Sequence, residues 1–118
     1  MKLDDLQVYQ IAMEVGEKVW RLVIPWDYFG KDTVGKKLAR SADSIASNIS
    51  EGYGRYHYKD NQRFCYYARG SLRETITWLT KARNRTLISD NDYETLCQQL
   101  ETLSVKLNNY IKSIGPTS

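Results

Sequence analysis

The sequence predicts an all-α protein, an antiparallel up-down-up-down four-helix bundle. Three observations carry that prediction. Apolar residues recur at 3-4 spacing in four stretches, short connections separate the stretches, and no alternating run bounded by turn residues suggests a strand. At 118 residues the chain forms one domain, long enough to bury about two-thirds of its unfolded surface. The bundle is expected over residues 1–114 and a flexible tail over 115–118.

The first helix is predicted from about Leu3 to Val23 and carries two adjacent apolar seams. One is Leu6, Tyr9, Met13, Gly16, Trp20 and Val23, and the other is Val8, Ala12, Val15, Val19 and Leu22. Together they make a face wider than a two-helix contact needs. Pro25 ends this helix, and Trp26 to Gly30 reads as an aromatic connection. Asp32 or Thr33 is the expected cap of the second helix, whose core face is Val34, Leu38, Ser41, Ala42, Ile45 and Ile49. Gly52 and Gly54 are expected to stop it through the usual glycine C-cap.

Arg55 to His57 and Tyr58 then link to the longest helix, about Lys59 to Arg85, with Phe64, Ala68, Ser71, Leu72, Thr75, Leu79 and Ala82 inward. The last helix is capped by Ser89 or Asp90, and Asp92 and Glu94 suit the positive end of its dipole. Its seam is Tyr93, Leu96, Leu100, Leu103, Leu107, Tyr110 and Ile114.

Composition narrows the function classes. Cys65 and Cys97 lie inside helical patterns without CxxC spacing and read as reduced, buried, small apolar residues. The acidic N-terminus lacks an apolar core, so no signal peptide is expected. No run approaches the ~20 apolar residues of a membrane span, and a cytoplasmic location follows. The sequons at Asn48 and Asn84 fall in predicted helices and read as chance. The net charge of +3 conceals an asymmetry: residues 31–85 carry twelve basic and five acidic side chains, a surplus of 7, and each flank carries a deficit of 2. This is a candidate footprint for a polyanion, and equally a set of charges that pairing between helices or subunits absorbs.

Catalysis has few materials. His57 is the single histidine and sits in a tight linker. Neither cysteine has a helix N-terminus to activate it. No HxxxH, HxxE or Glu-x-x-His spacing marks a metal site. Gly52-Tyr53-Gly54 follows a helix rather than a strand, which argues against a phosphate-cradling loop. No enzyme activity, metal or cofactor is expected.

The most individual stretch is Ser44 to Glu74. It opens with Ser44-Ile45-Ala46-Ser47-Asn48-Ile49-Ser50-Glu51-Gly52-Tyr53-Gly54-Arg55 and closes with Ala68-Arg69-Gly70-Ser71-Leu72-Arg73-Glu74. Small and polar side chains stand where a simple bundle would carry Leu or Ile. With Asp5 to Ala12 in the first helix, these residues closely resemble the four-helix-bundle family encoded in intervening sequences of bacterial 23S ribosomal RNA genes. The accessory variability protein of diversity-generating retroelements is a relative within that fold. The likeness runs from about Leu6 to Leu79 and weakens in the last helix. Ala46 stands where the family often has proline, which should leave the second helix straighter. The resemblance implies a homopentameric ring around a central channel and no settled activity. The retroelement relative is associated with nucleic acid and a reverse transcriptase through a basic surface.

Two constellations qualify as candidate sites. Glu51 and Arg69, with Asn48 and Ser71 nearby, could form one network across the second and third helices. It would serve either as a polar pocket or channel lining, or as a structural pair that fixes helix register. The second is a stripe on the third helix, Lys59, Arg63, Tyr66, Arg73 and Lys81, with Arg55, Tyr56 and Tyr58 at its foot. Lys36, Lys37 and Arg40 lie on the preceding helix. Basic groups interleaved with tyrosines suit single-stranded nucleic acid, RNA or DNA. The same residues, with Trp26, Tyr28 and Phe29, also suit a contact between subunits, or a solvated surface. Two functions follow: an oligomeric nucleic-acid-binding accessory protein without catalysis, or an interaction scaffold for another protein such as a polymerase or reverse transcriptase.

Overall fold

A computed structural model of the chain describes residues 1–116. It contains four helices, and no strand occurs among the described residues. A single 3-10 turn, Leu3–Asp5, leads into α1, Gln7–Val23. The turn's two aspartates sit at the positive end of α1, where their charge is favourable. Val8, Ala12, Val15, Val19 and Val23 are buried at the spacing that keeps them on one side of the helix. The wide apolar face expected of α1 is split by the fold: Met13 and Trp20 stay 43% and 55% exposed.

Helix α2 begins earlier than its sequence suggests. Asp27, two residues past Pro25, caps it by accepting the Gly30 amide at 2.9 Å. The helix then runs through Tyr28–Gly30, a π-helical turn over Lys31–Gly35, and a regular stretch over Lys36–Tyr53. Asp32 and Thr33, the expected caps, are inside it. Asp32 pairs with Lys36 at 2.8 Å, and the Thr33 hydroxyl donates back to the Phe29 carbonyl at 2.7 Å. The expected aromatic connection is therefore only partly a connection, because Tyr28, Phe29 and Gly30 are already helical.

The glycines at the other end of α2 act differently from expectation. Gly54 ends the helix in a right-handed conformation (φ −79°), and no glycine among the described residues has positive φ. Gly52 is needed for space instead. A Cβ there would lie 2.9 Å from the Asn61 carbonyl oxygen and 3.0 Å from Phe64 Cβ.

Helix α3, Tyr58–Asn84, buries Cys65, Ala68, Leu72, Thr75, Leu79 and Ala82, a 3-4 repeat along one seam. Cys65 takes the inward position expected of Phe64, which is half-buried. The helix closes with Thr86 at φ 59°, while the Thr86 and Leu87 amides donate to the Arg83 and Ala82 carbonyls at 3.0 and 2.9 Å. This is the paired closure usually built on glycine, here on a β-branched residue. Helix α4, Asp90–Ser113, is capped by Ser89, whose hydroxyl accepts the Asp92 amide at 3.0 Å. Leu96, Leu100, Leu103, Leu107 and Ile111 fill its seam. Of the tail expected over 115–118, Thr117 and Ser118 lie outside the described residues.

Neighbouring helices run antiparallel, as their cross-contacts show. Ser44 meets Ser71 and Gly52 meets Asn61 between α2 and α3. Arg69 meets Asn108 and Thr80 meets Tyr93 between α3 and α4. Lys18 meets Gln99 and Gln7 meets Lys106 between α1 and α4. The result is a rod of 49 × 22 × 20 Å with one apolar core. No helix of the described residues is long and apolar enough to cross a membrane. Because a Cβ at Gly52 would meet the Asn61 backbone carbonyl as well as the Asn61 side chain, Gly52→Ala is expected to cost about 1–3 kcal/mol, measured by urea denaturation.

Candidate nucleic-acid interface

The basic segment 31–85 folds into one structural unit, the α2–α3 pair. A polar seam runs down the inside of that pair. Thr75 Oγ1 lies 2.8 Å from the Ser71 carbonyl oxygen and 3.1 Å from Ser41 Oγ. The Ser71 hydroxyl is 3.0 Å from Ser44 Oγ, and Asn48 Nδ2 donates to the same oxygen at 3.0 Å and to the Ser44 carbonyl at 2.9 Å. Small hydroxyls let two backbones approach while satisfying each other, which removes the cost of burying them. Among the described residues no buried side-chain polar atom lacks a partner.

This seam revises the network expected from sequence. Asn48 and Ser71 do meet, through Ser44. Glu51 and Arg69 do not pair. Glu51 accepts from Arg55 one turn along its own helix at 2.6 Å, and Arg69 reaches across to Asn108 on α4 at 3.1 Å. The reason is geometric: both side chains lie on outer flanks, exposed, and each finds a nearer partner in water-accessible surroundings. Ser41, Ser44 and Thr75 form the real inter-helix link, and their signal in the sequence was polar type at otherwise apolar core positions. Arg69→Ala is accordingly expected to cost less than about 1 kcal/mol, the range of exposed polar pairs, with a nearly unchanged thermal melting curve.

The candidate basic residues occupy the outside of the same two helices, but not as one patch. Lys59 and Lys81 are separated by 22 residues of α3, about 33 Å of helix. At the foot, Arg55 and Arg63 flank the Phe64 ring at 4.8 and 5.6 Å from its centroid, and both are salt-bridged, to Glu51 and to Asp60. Tyr56 and Tyr58 are exposed there, Tyr56 edge-on to His57 at 5.0 Å, and Lys59 is exposed beside them. Midway, Arg69 covers the Tyr66 ring at 4.8 Å. Arg73 turns toward α4, where it pairs with Glu101 at 3.2 Å and donates to Ser104 Oγ at 3.0 Å.

At the far end the Lys37 and Lys81 ammoniums approach the Trp78 ring at 5.6 and 5.7 Å. Lys36 pairs with Asp32, whose hydrogen bond and charge raise the lysine pKa, and Arg40 is exposed nearby on α2. Cation–ring contacts of this exposed kind are worth about 0.5–1 kcal/mol each, so they orient side chains without locking them. Phe64 and Trp78 organise the cations of the two ends. The sequence signal for this role is a cation close by on the same helix, Arg63 one residue before Phe64 and Lys81 three residues after Trp78.

The adjoining face of the bundle has the reverse character. A groove of about 330 Å³ between α1 and α2 is lined by Tyr9, Ala12, Gly16 and Ala46, with Glu17 and Asp43 at its rim. Burial first, and the neighbouring Glu17 second, raise the Asp43 carboxyl above its ordinary value. This acidic rim repels phosphate. Burial pushes the Cys65 thiol up to about 11 and also raises Cys97, which leaves both poor nucleophiles near neutral pH. Among the described residues no cluster of His, Cys, Asp and Glu could hold a metal ion.

Comparison with known proteins places this architecture. A crystal structure at 1.70 Å of a protein of unknown function from the S23 ribosomal protein family, from Bacteroides thetaiotaomicron VPI-5482, is similar in fold. It superposes with a TM-score of 0.79 at 22% identity, over 90% of this chain and 99% of that one. No curated protein matches the sequence. The model of the 23S rRNA-intervening sequence protein family matches residues 4–109, nearly the whole bundle, and the chain belongs to that family.

Proposed function

We propose that the protein is a non-enzymatic, oligomeric accessory factor that binds nucleic acid, RNA first of all, through the outer face of α2 and α3. The observation that carries this reading is the segregation of charge. The surplus of 7 positive charges in residues 31–85 resides on one helix pair, while the adjoining α1–α2 groove is acid-rimmed. Exposed aromatics interleave the cations, which suits bases as well as phosphates. The retroelement accessory protein, which the sequence resemblance implies as a relative within the fold, supports the same reading by analogy. Fluorescence anisotropy with a labelled single-stranded RNA should give a Kd below the millimolar range that weakens steeply with salt. No binding at about 50 mM salt would overturn it and leave the scaffold role.

Oligomerisation is the second part of the proposal. Met13, Trp20, Ile24, Tyr28 and Phe29 expose large apolar side chains on α1 and the start of α2. Aromatic and large apolar residues of this kind mark the cores of subunit contacts. A second copy of the chain is their natural cover, and a ring of five copies is the assembly the family resemblance implies. Light scattering should therefore return about five times the 13.7 kDa chain mass, and a monomer would rule the ring out.

A further inference from the structure

We propose that the nucleic-acid contact centres on Trp78, a stacking platform for one unpaired base, with Lys37, Lys81 and Arg40 holding the phosphates on either side. This deepens the reading that the α2–α3 face binds nucleic acid, and rests on it.

Charge pairing selects this end of the face. Arg55, Arg63 and Arg73 are each salt-bridged, to Glu51, Asp60 and Glu101. Their sites are close to neutral, and a phosphate there has to displace a carboxylate first. Among the described residues Lys37, Lys81 and Arg40 form no salt bridge and Glu74 at the ring offsets one of the three, whereas at the foot Lys59 alone is unpaired beside two paired arginines. Lys31 and Arg85 add exposed positive charge at the same end, where α2 starts and α3 finishes. The Lys36–Asp32 pair adds none.

The ring is suited to stacking. Trp78 packs partly against the core, and its indole Nε1 donates to Glu74 Oε2 at 3.2 Å, which fixes the ring plane. The two lysine ammoniums rest against the ring on flexible stems. A base arriving on the indole displaces them outward, toward the phosphates that flank it. The other cation-bearing rings of α3 lack this combination. Phe64 is held between two salt-bridged arginines, and Tyr66 lies under Arg69, which is itself tied to Asn108. A half-buried ring on a convex helix surface cannot enter a base-paired stack, so the ligand is single-stranded.

Anisotropy with labelled single-stranded RNA compares two charge-matched double variants. Lys37→Glu/Lys81→Glu should weaken binding at least about tenfold and lower the salt slope by about 1.4, two phosphate contacts on a single strand. Arg55→Glu/Arg63→Glu, which reverses two charges and also frees Glu51 and Asp60, should weaken binding less than the lysine pair does, because it lies at the end away from the stacked base. Trp78→Leu should lose about five- to hundredfold, the range for one stacked base, while Trp78→Phe retains most of the affinity. Circular dichroism melting checks each fold, and if Trp78→Leu does not fold, the surface lysine pair decides. Wild-type affinity in Lys37→Glu/Lys81→Glu, with loss in Arg55→Glu/Arg63→Glu, overturns this placement but leaves nucleic-acid binding intact. Absence of binding by the wild-type protein overturns both.

Discussion

The close approach of α2 and α3 is the constraint on which the rest of the molecule depends. Ser41, Ser44 and Gly52 on one helix face Thr75, Ser71 and Asn61 on the other, so the two backbones meet with hydroxyls and a bare Cα between them. Larger side chains would push the helices apart, and unmatched polar ones would carry a desolvation cost. The mutual hydrogen bonds of the seam fix which residues lie opposite each other. Register along the pair is therefore set by a few short polar groups rather than by shape alone, a use of buried polarity known from other helical assemblies.

That register has an electrostatic consequence. It brings the first half of α2 beside the last half of α3, so Lys37 and Arg40 share an end of the rod with Trp78 and Lys81. It leaves Arg55 and Arg63 at the other end, within reach of acids on their own helices. Surface pairs of this type contribute little stability. Their effect is on the distribution of free charge: one end of the α2–α3 face is cationic and the other is nearly balanced. The acidic rim of the α1–α2 groove adds a change of sign between adjoining faces.

The first helix contributes differently. Its valine-rich stripe enters the core, while Met13 and Trp20, one step round the helix, remain at the surface. A monomeric bundle cannot bury both seams, because a helix at the corner of a four-membered layer has only two neighbours. The residual apolar surface is thus a product of the architecture itself.

Much of this was legible in the sequence. Apolar periodicity set the number, order and approximate extent of the helices, since a side chain's place on a helix follows from spacing alone. Ser89 announced its cap for the same local reason. The surplus of charge in residues 31–85 needed only counting. Tertiary structure decided what spacing cannot encode. It gave the cap of α2 to Asp27, because the turn after Pro25 positions that carboxylate over the Gly30 amide. It separated Glu51 from Arg69, because partners are chosen by distance across a packed pair and a nearer one existed for each. And it decided which cations stay unpaired, because that depends on which acids the folded neighbours bring within a few ångströms.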